Sequence, residues 1–156
     1  MLMKELKMDL ITILEGNIRK DNQKNWYSFL LVQKALVEKY FDWVHLHIDT
    51  KTKSLVGKGF LTVGNKNYSI VFSFSPFNSI RYERIFVNNK PIKYNDDIHL
   101  YSDLSLCLYH PFIDQPILKK IDLYEMIPWI SEWIVFYEQW KKYGVWLGKE
   151  IKHRTI

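Results

Sequence analysis

The sequence predicts an α+β domain: helices grouped at the two ends and three or four antiparallel strands grouped between them. Three observations lead there. Apolar spacing is helical up to Phe41, alternates from Trp43, and becomes helical again after Asp122. Turn residues at Gly64-Asn65-Lys66-Asn67 and Asn88-Asn89-Lys90-Pro91 cut the alternating part into hairpin-length runs. The strands follow one another without intervening helices, so the expected sheet is a meander with helices on one face. The 156 residues are expected to form one domain, 1–156, with 1–20 as an N-terminal helix or arm. The hydrophobic content of 47% and aromatic content of 16% supply material for a core. A chain of this size buries roughly 68–70% of its unfolded surface without needing staples.

In order, Leu6, Leu10, Ile13 and Leu14 fall at helical spacing, and Gly16-Asn17 ends that pattern. Asp21–Phe41 reads as a stronger helix, capped by Asp21 or Asn22. Its apolar stripe is Trp26, Phe29, Leu30, Val37 and Tyr40-Phe41, with Gln33, Lys34 and Glu38 outside. Trp43–Ile48 alternates, with Val44, Leu46 and Ile48 on one side and His45 and His47 on the other. Leu55–Val63 and Tyr68–Phe74 are two further strands joined by a tight turn. Gly57 and Gly59 inside a strand point to a bulge or a close backbone approach. Ile85-Phe86-Val87 is a short fourth strand. From Asn95 to Pro116 the only periodicity is Leu104/Leu106/Leu108, and long irregular connections in compact domains are often functional. Asp122 with Glu125 forms a capping box. Pro128 is expected to kink this helix or to open a second one. Trp129, Ile130, Trp133, Ile134, Phe136, Tyr137 and Trp140 make a broad core face, with Glu132 and Glu138 outside it. Lys141-Lys142 suit the last turn and Gly144 the C-cap. Trp146 is expected to be ordered and the chain frayed beyond His153.

Composition excludes several classes. The net charge of +5 is mild and the lysines are dispersed, which suits a solvated surface better than a nucleic-acid footprint. No apolar run reaches the ~18 residues of a membrane span. Lys4, Glu5, Lys7 and Asp9 interrupt any signal-peptide core. One cysteine cannot form an internal disulfide, so a cytoplasmic location is expected. Gly57 and Gly59 do not lead into a helix as a phosphate cradle requires. His45 and His47 lack a third metal ligand nearby and read as polar residues on an open strand face. No cofactor or metal is expected.

The chemistry-bearing stretch is Asp97–Pro111, which contains the single cysteine, Cys107. His99, Asp103 and His110 lie within eight residues of it, and Leu104, Leu106 and Leu108 bracket it. Two readings compete. Cys107 is either a small buried hydrophobe or a nucleophile.

Ser105-Leu106-Cys107-Leu108 resembles the short signature around the catalytic cysteine of ubiquitin-conjugating enzymes. His99 resembles the histidine of that family's His-Pro-Asn element. The pattern His-x-Tyr-x-Asp-x-x-Leu-Cys-Leu-Tyr-x-Pro at 99–111 is followed by Pro128–Trp133, Tyr137–Trp140 and Gly144–Gly148. Together these look like the prokaryotic ubiquitin-conjugating-enzyme-like family encoded beside cGAS-like nucleotidyltransferases in CBASS anti-phage operons. The resemblance covers roughly residues 20–153 and is motif-specific over 99–148. It implies a ubiquitin-conjugating-enzyme-like fold: N-terminal helix, antiparallel four-stranded meander, cysteine-bearing loop and long C-terminal helix. Two departures stand out. Leu100 and Tyr101 replace the Pro and Asn of the eukaryotic element, and Ile117 stands where an acidic residue or Ser is expected.

The resemblance further implies that Cys107 forms a thioester with the C-terminal carboxyl group of a protein partner, the cGAS-like nucleotidyltransferase, and promotes its ligation and activation. Thioester exchange is nearly balanced and needs only the intrinsic nucleophilicity of a thiol, so no triad is required. His99, Tyr101, Asp103 and His110 are candidate supporting residues, each with an alternative as loop hydrogen-bonding residues. No nucleotide-binding motif occurs, which leaves activation of the donor to another protein. The alternatives are a non-catalytic binding module that grips a partner's C-terminal tail, and a Cys–His hydrolase. Such hydrolase pairs are normally assembled from distant segments.

Overall fold

The computed structural model describes residues 2–148. Its elements run α1 (Leu2–Lys24), α2 (Trp26–Tyr40), β1 (Val44–Asp49), β2 (Ser54–Val63), β3 (Lys66–Phe74), β4 (Glu83–Val87), α3 (Pro111–Asp114) and α4 (Leu123–Tyr143). A single 3₁₀ turn, Asp96–Ile98, precedes the cysteine segment. The sheet is an antiparallel meander in the order β1-β2-β3-β4. The α+β class and the four-stranded order are as the sequence predicts.

The first two helices differ from expectation. Gly16-Asn17 does not end α1, which continues to Lys24. An interior glycine costs a helix only about 1 kcal/mol, and the second half of α1 has tertiary partners. Arg19 donates to the Asn78 and Ile80 carbonyls, Gln23 to the Pro76 carbonyl, and Asn22 to the Tyr82 hydroxyl. Asp21 and Asn22 therefore lie inside α1, and the break comes at Asn25. Gln33 is not outside the stripe but buried, 2% exposed. Its amide accepts from the Leu123 N–H and donates to Asp122 Oδ1, both at 2.8 Å, pinning α2 to the start of α4. Tyr40 is exposed instead.

In β1, Val44 and Leu46 are buried while His45 and His47 face outward. The β2–β3 hairpin turns on Gly64-Asn65, with Gly64 at φ 61. The ladder through Gly57 and Gly59 is continuous, so they mark close approach and not a bulge. A Cβ at Gly57 would stand 2.0 Å from the His45 carbonyl oxygen, and one at Gly59 2.6 Å from that of Trp43. The inward row Leu46, Gly57, Phe72, Ile85 continues the core, and the next row is Ile48, Leu55, Phe74, Glu83. Register alone thus turns Glu83 toward the core.

α4 closes the other side of this core with Met126, Ile127, Ile130, Trp133, Ile134 and Tyr137. Its N-terminus carries the capping box, with Glu125 accepting from the Asp122 N–H at 2.7 Å, and Gly144 at φ 74 ends it. Pro128 lies within an unbroken helix, so no second helix begins there. It removes one N–H from the second turn, and the packed face on either side holds the helix together. Glu138 is half-buried and accepts from the Tyr68 hydroxyl. Trp146 is buried, as expected. The fraying beyond His153 lies outside the described residues.

Candidate functional site

The cysteine segment returns antiparallel to itself beyond the edge of β4. The Leu106 N–H donates to the Ile85 carbonyl at 2.8 Å, Leu100 and Leu106 form a bridge, and the Cys107 N–H donates to the His99 carbonyl at 3.0 Å. Leu104 does not continue an alternating strand. It is exposed, at φ 72, in a turn closed by its N–H on the Tyr101 carbonyl. His99 also takes a left-handed backbone, φ 51. Two such non-glycine residues within six positions are unusual and need surrounding structure to hold them. One clamp is Trp133 of α4, whose indole N–H is shared between the Ile98 and His99 carbonyls, each at 3.1 Å.

Cys107 lies on the wall of a cavity of about 540 Å³. The opposite walls are Trp129, Trp133 and Phe136 of α4 and Trp146 beyond it, with Glu132 among the lining residues. Trp146 is 5.7 Å from both Trp133 and Phe136 and stacks on His99 at 5.1 Å. A Cβ on Gly148 would meet the Phe136 ring at 2.8 Å, so the chain after α4 lies tightly against it. The thiol is 8% exposed. Burial pushes it up to about 12, against the opposing pull of a hydrogen bond with Tyr101 and of the Arg81 charge.

Each predicted supporting residue has a distinct place. Tyr101 lies against the thiol, and its hydroxyl donates to the Tyr109 carbonyl at 3.0 Å. His99 forms part of the cavity wall. Asp103 turns to the other side of the loop. It accepts from the Ser105 N–H and hydroxyl and lies 3.6 Å from Arg84 and 3.9 Å from Arg81. Partial burial would raise its carboxyl, but the Ser105 bonds and the two guanidinium groups hold it below the ordinary range. His110 caps α3, its Nδ1 accepting from Phe112 and Ile113 N–H at 3.2 and 3.3 Å. His110→Ala is therefore expected to lower stability by about 1 kcal/mol, the value of a lost N-cap. His110→Asn, which keeps an acceptor, should recover most of it in urea unfolding.

Beneath the loop lies a group that sequence reasoning missed. Glu83 is 0% exposed and pairs with Arg81 at 3.2 Å. It also accepts from the Tyr109 hydroxyl. The Arg81 guanidinium carbon sits 3.3 Å from the centre of the Tyr101 ring. Burial raises the Glu83 carboxyl, opposed by Arg81 and Tyr109. The available signal was parity: counting back by two from Ile85 puts Glu83 on the core face.

His45 and His47 stay on the open sheet face, and among the described residues no three His, Cys, Asp or Glu side chains gather as a metal site. No helix among them is long and apolar enough to cross a membrane.

A family model described as type II CBASS E2 protein matches residues 33–154. Neither the curated proteins nor the solved structures yield a match. α1 precedes the matched stretch, whereas the cysteine loop, α4 and Trp146 lie within it.

Proposed function

The chain belongs to the type II CBASS E2 protein family and so has a part in anti-phage defence, and we propose that its part is to carry an acyl group on Cys107. In this reading the domain is ubiquitin-conjugating-enzyme-like in fold, and its Cys107 takes over the C-terminal carboxyl group of a protein partner. The observation that carries it is the position of the only thiol, on the wall of an aromatic cavity large enough for an extended peptide end. The partner best suited is the cGAS-like nucleotidyltransferase of the same system. Its tail would lie along Trp129, Trp133 and Trp146, and Cys107 would pass it to an acceptor. Activation of the carboxyl group falls to another protein. A single cysteine, which cannot form an internal disulfide, suits the reducing interior of the cell.

The test is co-expression with the neighbouring defence proteins, as wild type and as Cys107→Ala, read by intact mass and non-reducing gels. An adduct that thiols release, present only with Cys107, is the expected result, and its mass identifies the donor. Identical adducts in both proteins would overturn the reading.

One observation favours a second reading. The thiol is deeply buried and held protonated, which suits a binding module in which the cavity grips a tail and Cys107 only packs. A native thiol that no alkylating agent reaches, with tail binding retained in Cys107→Ala, would select it.

A further inference from the structure

We propose that Tyr101, held by the buried Arg81–Glu83 pair, is the catalytic hydrogen-bond donor that stabilises the Cys107 sulfur as it takes up negative charge. This deepens the acyl-carrier reading and rests on it.

The resting geometry shows how. The Tyr101 O–H and the Cys107 S–H both point to one acceptor, the Tyr109 carbonyl, at 3.0 and 3.5 Å. The phenol oxygen and the sulfur also lie within hydrogen-bonding reach of each other. When the thiol loses its proton, a small rotation turns the Tyr101 O–H from the carbonyl to the sulfur. The phenol keeps its own proton throughout, because burial raises its pKa far above the ordinary value. Arg81 is the positioning residue. Its guanidinium stacks on the Tyr101 ring at 3.3 Å, which places positive charge beside the phenol and strengthens it as a donor. Arg81 is itself fixed by Glu83 at 3.2 Å and touches Ser105 at 3.4 Å, and Glu83 is fixed by the Tyr109 hydroxyl. Four side chains from β4, the segment before it and the cysteine loop thus end at one sulfur.

The step balances without a further reagent. With a thioester donor, the Cys107 S–H bond breaks and a bond forms from Cys107 sulfur to the acyl carbon. The donor's C–S bond breaks, its electron pair goes to the donor sulfur, and that sulfur takes the proton. Tyr101 only lends its hydrogen bond to the charged stage.

The test uses iodoacetamide on the whole protein from pH 7 to 10, a probe that needs no partner. Tyr101→Phe is expected to slow alkylation about tenfold, the equivalent of one pKa unit. Replacing Tyr101 with 3-fluorotyrosine, a stronger donor of nearly the same shape, should speed it. Arg81→Lys keeps a charge for Glu83 but loses the planar stack. It should fall between wild type and Tyr101→Phe and add nothing when combined with Tyr101→Phe, the non-additivity of residues acting as one unit. A merely structural role would open the loop and make Tyr101→Phe faster, with fluorination neutral. That result overturns the proposal. If Tyr101→Phe does not fold, the fluorotyrosine arm decides alone. Wild-type protein that is inert while folded would instead sink the acyl-carrier reading itself.

Discussion

Glu83→Leu is expected to destabilise the fold by about 3–5 kcal/mol, the usual cost of removing one member of a buried ion pair. Arg81 is 6% exposed and Glu83 is 0% exposed. Without the carboxylate, Arg81 would keep the Tyr101 ring at 3.3 Å, Ser105 at 3.4 Å and a distant Asp103 at 3.9 Å, none of them a close counter-charge. The Tyr109 hydroxyl would also lose its acceptor in a buried setting, a further penalty. Partial compensation by Asp103 argues for the lower end of the range. Urea unfolding reads the effect directly. The decisive companion is Arg81→Met combined with Glu83→Leu. Two apolar side chains of similar reach remove both charges, and most of the lost stability should return. If Glu83→Leu alone costs less than about 1 kcal/mol, Arg81 has found water, and the support under Tyr101 is looser than the geometry indicates.

That pair also marks where sequence reasoning stops. Elements set by local rules were legible: the alternation of Val44 and Leu46, the Gly64 turn, the Asp122–Glu125 capping box and the Gly144 end of α4 each depend on neighbours in sequence. What escaped depends on contacts between distant segments. Gly16 stays helical because Arg19, Asn22 and Gln23 find partners some sixty residues away. Gln33 is buried because its amide meets the start of α4, and no pattern within α2 announces that. At the site, Cys107 and its neighbours were visible as a cluster, but their roles were not. His110 was drawn into a cap and Asp103 into an arginine pair, leaving Tyr101 on the sulfur. Arg81-Tyr82-Glu83-Arg84 looks like a solvated charged run until the strand register turns one carboxylate inward.

At pH 8, native Cys107 is expected to react with iodoacetamide about a thousandfold more slowly than the same cysteine in urea. Burial pushes the native thiol up to about 12, whereas a free one titrates near about 8.5. Thiolate is the reacting form, so the native rate should climb about tenfold per pH unit through pH 10. The unfolded rate should level off above about pH 9. Stability follows the same difference with a definite sign. Between the two values the folded state still holds a proton that the unfolded state has released. The contribution is therefore complete below about pH 8.5 and lost as pH rises toward 12. Tyr101 and Tyr109, also raised by burial, bend stability the same way above about pH 10. The difference between wild type and Cys107→Ala in urea midpoints at pH 7, 9 and 10 isolates the cysteine's share. A native rate that already levels off below pH 9 would mean an ionised, open thiol. The expected behaviour has a functional logic: a protonated sulfur inside an aromatic cavity reacts only slowly with passing electrophiles. It becomes a nucleophile when a bound acyl donor offers its own sulfur as the destination of the proton.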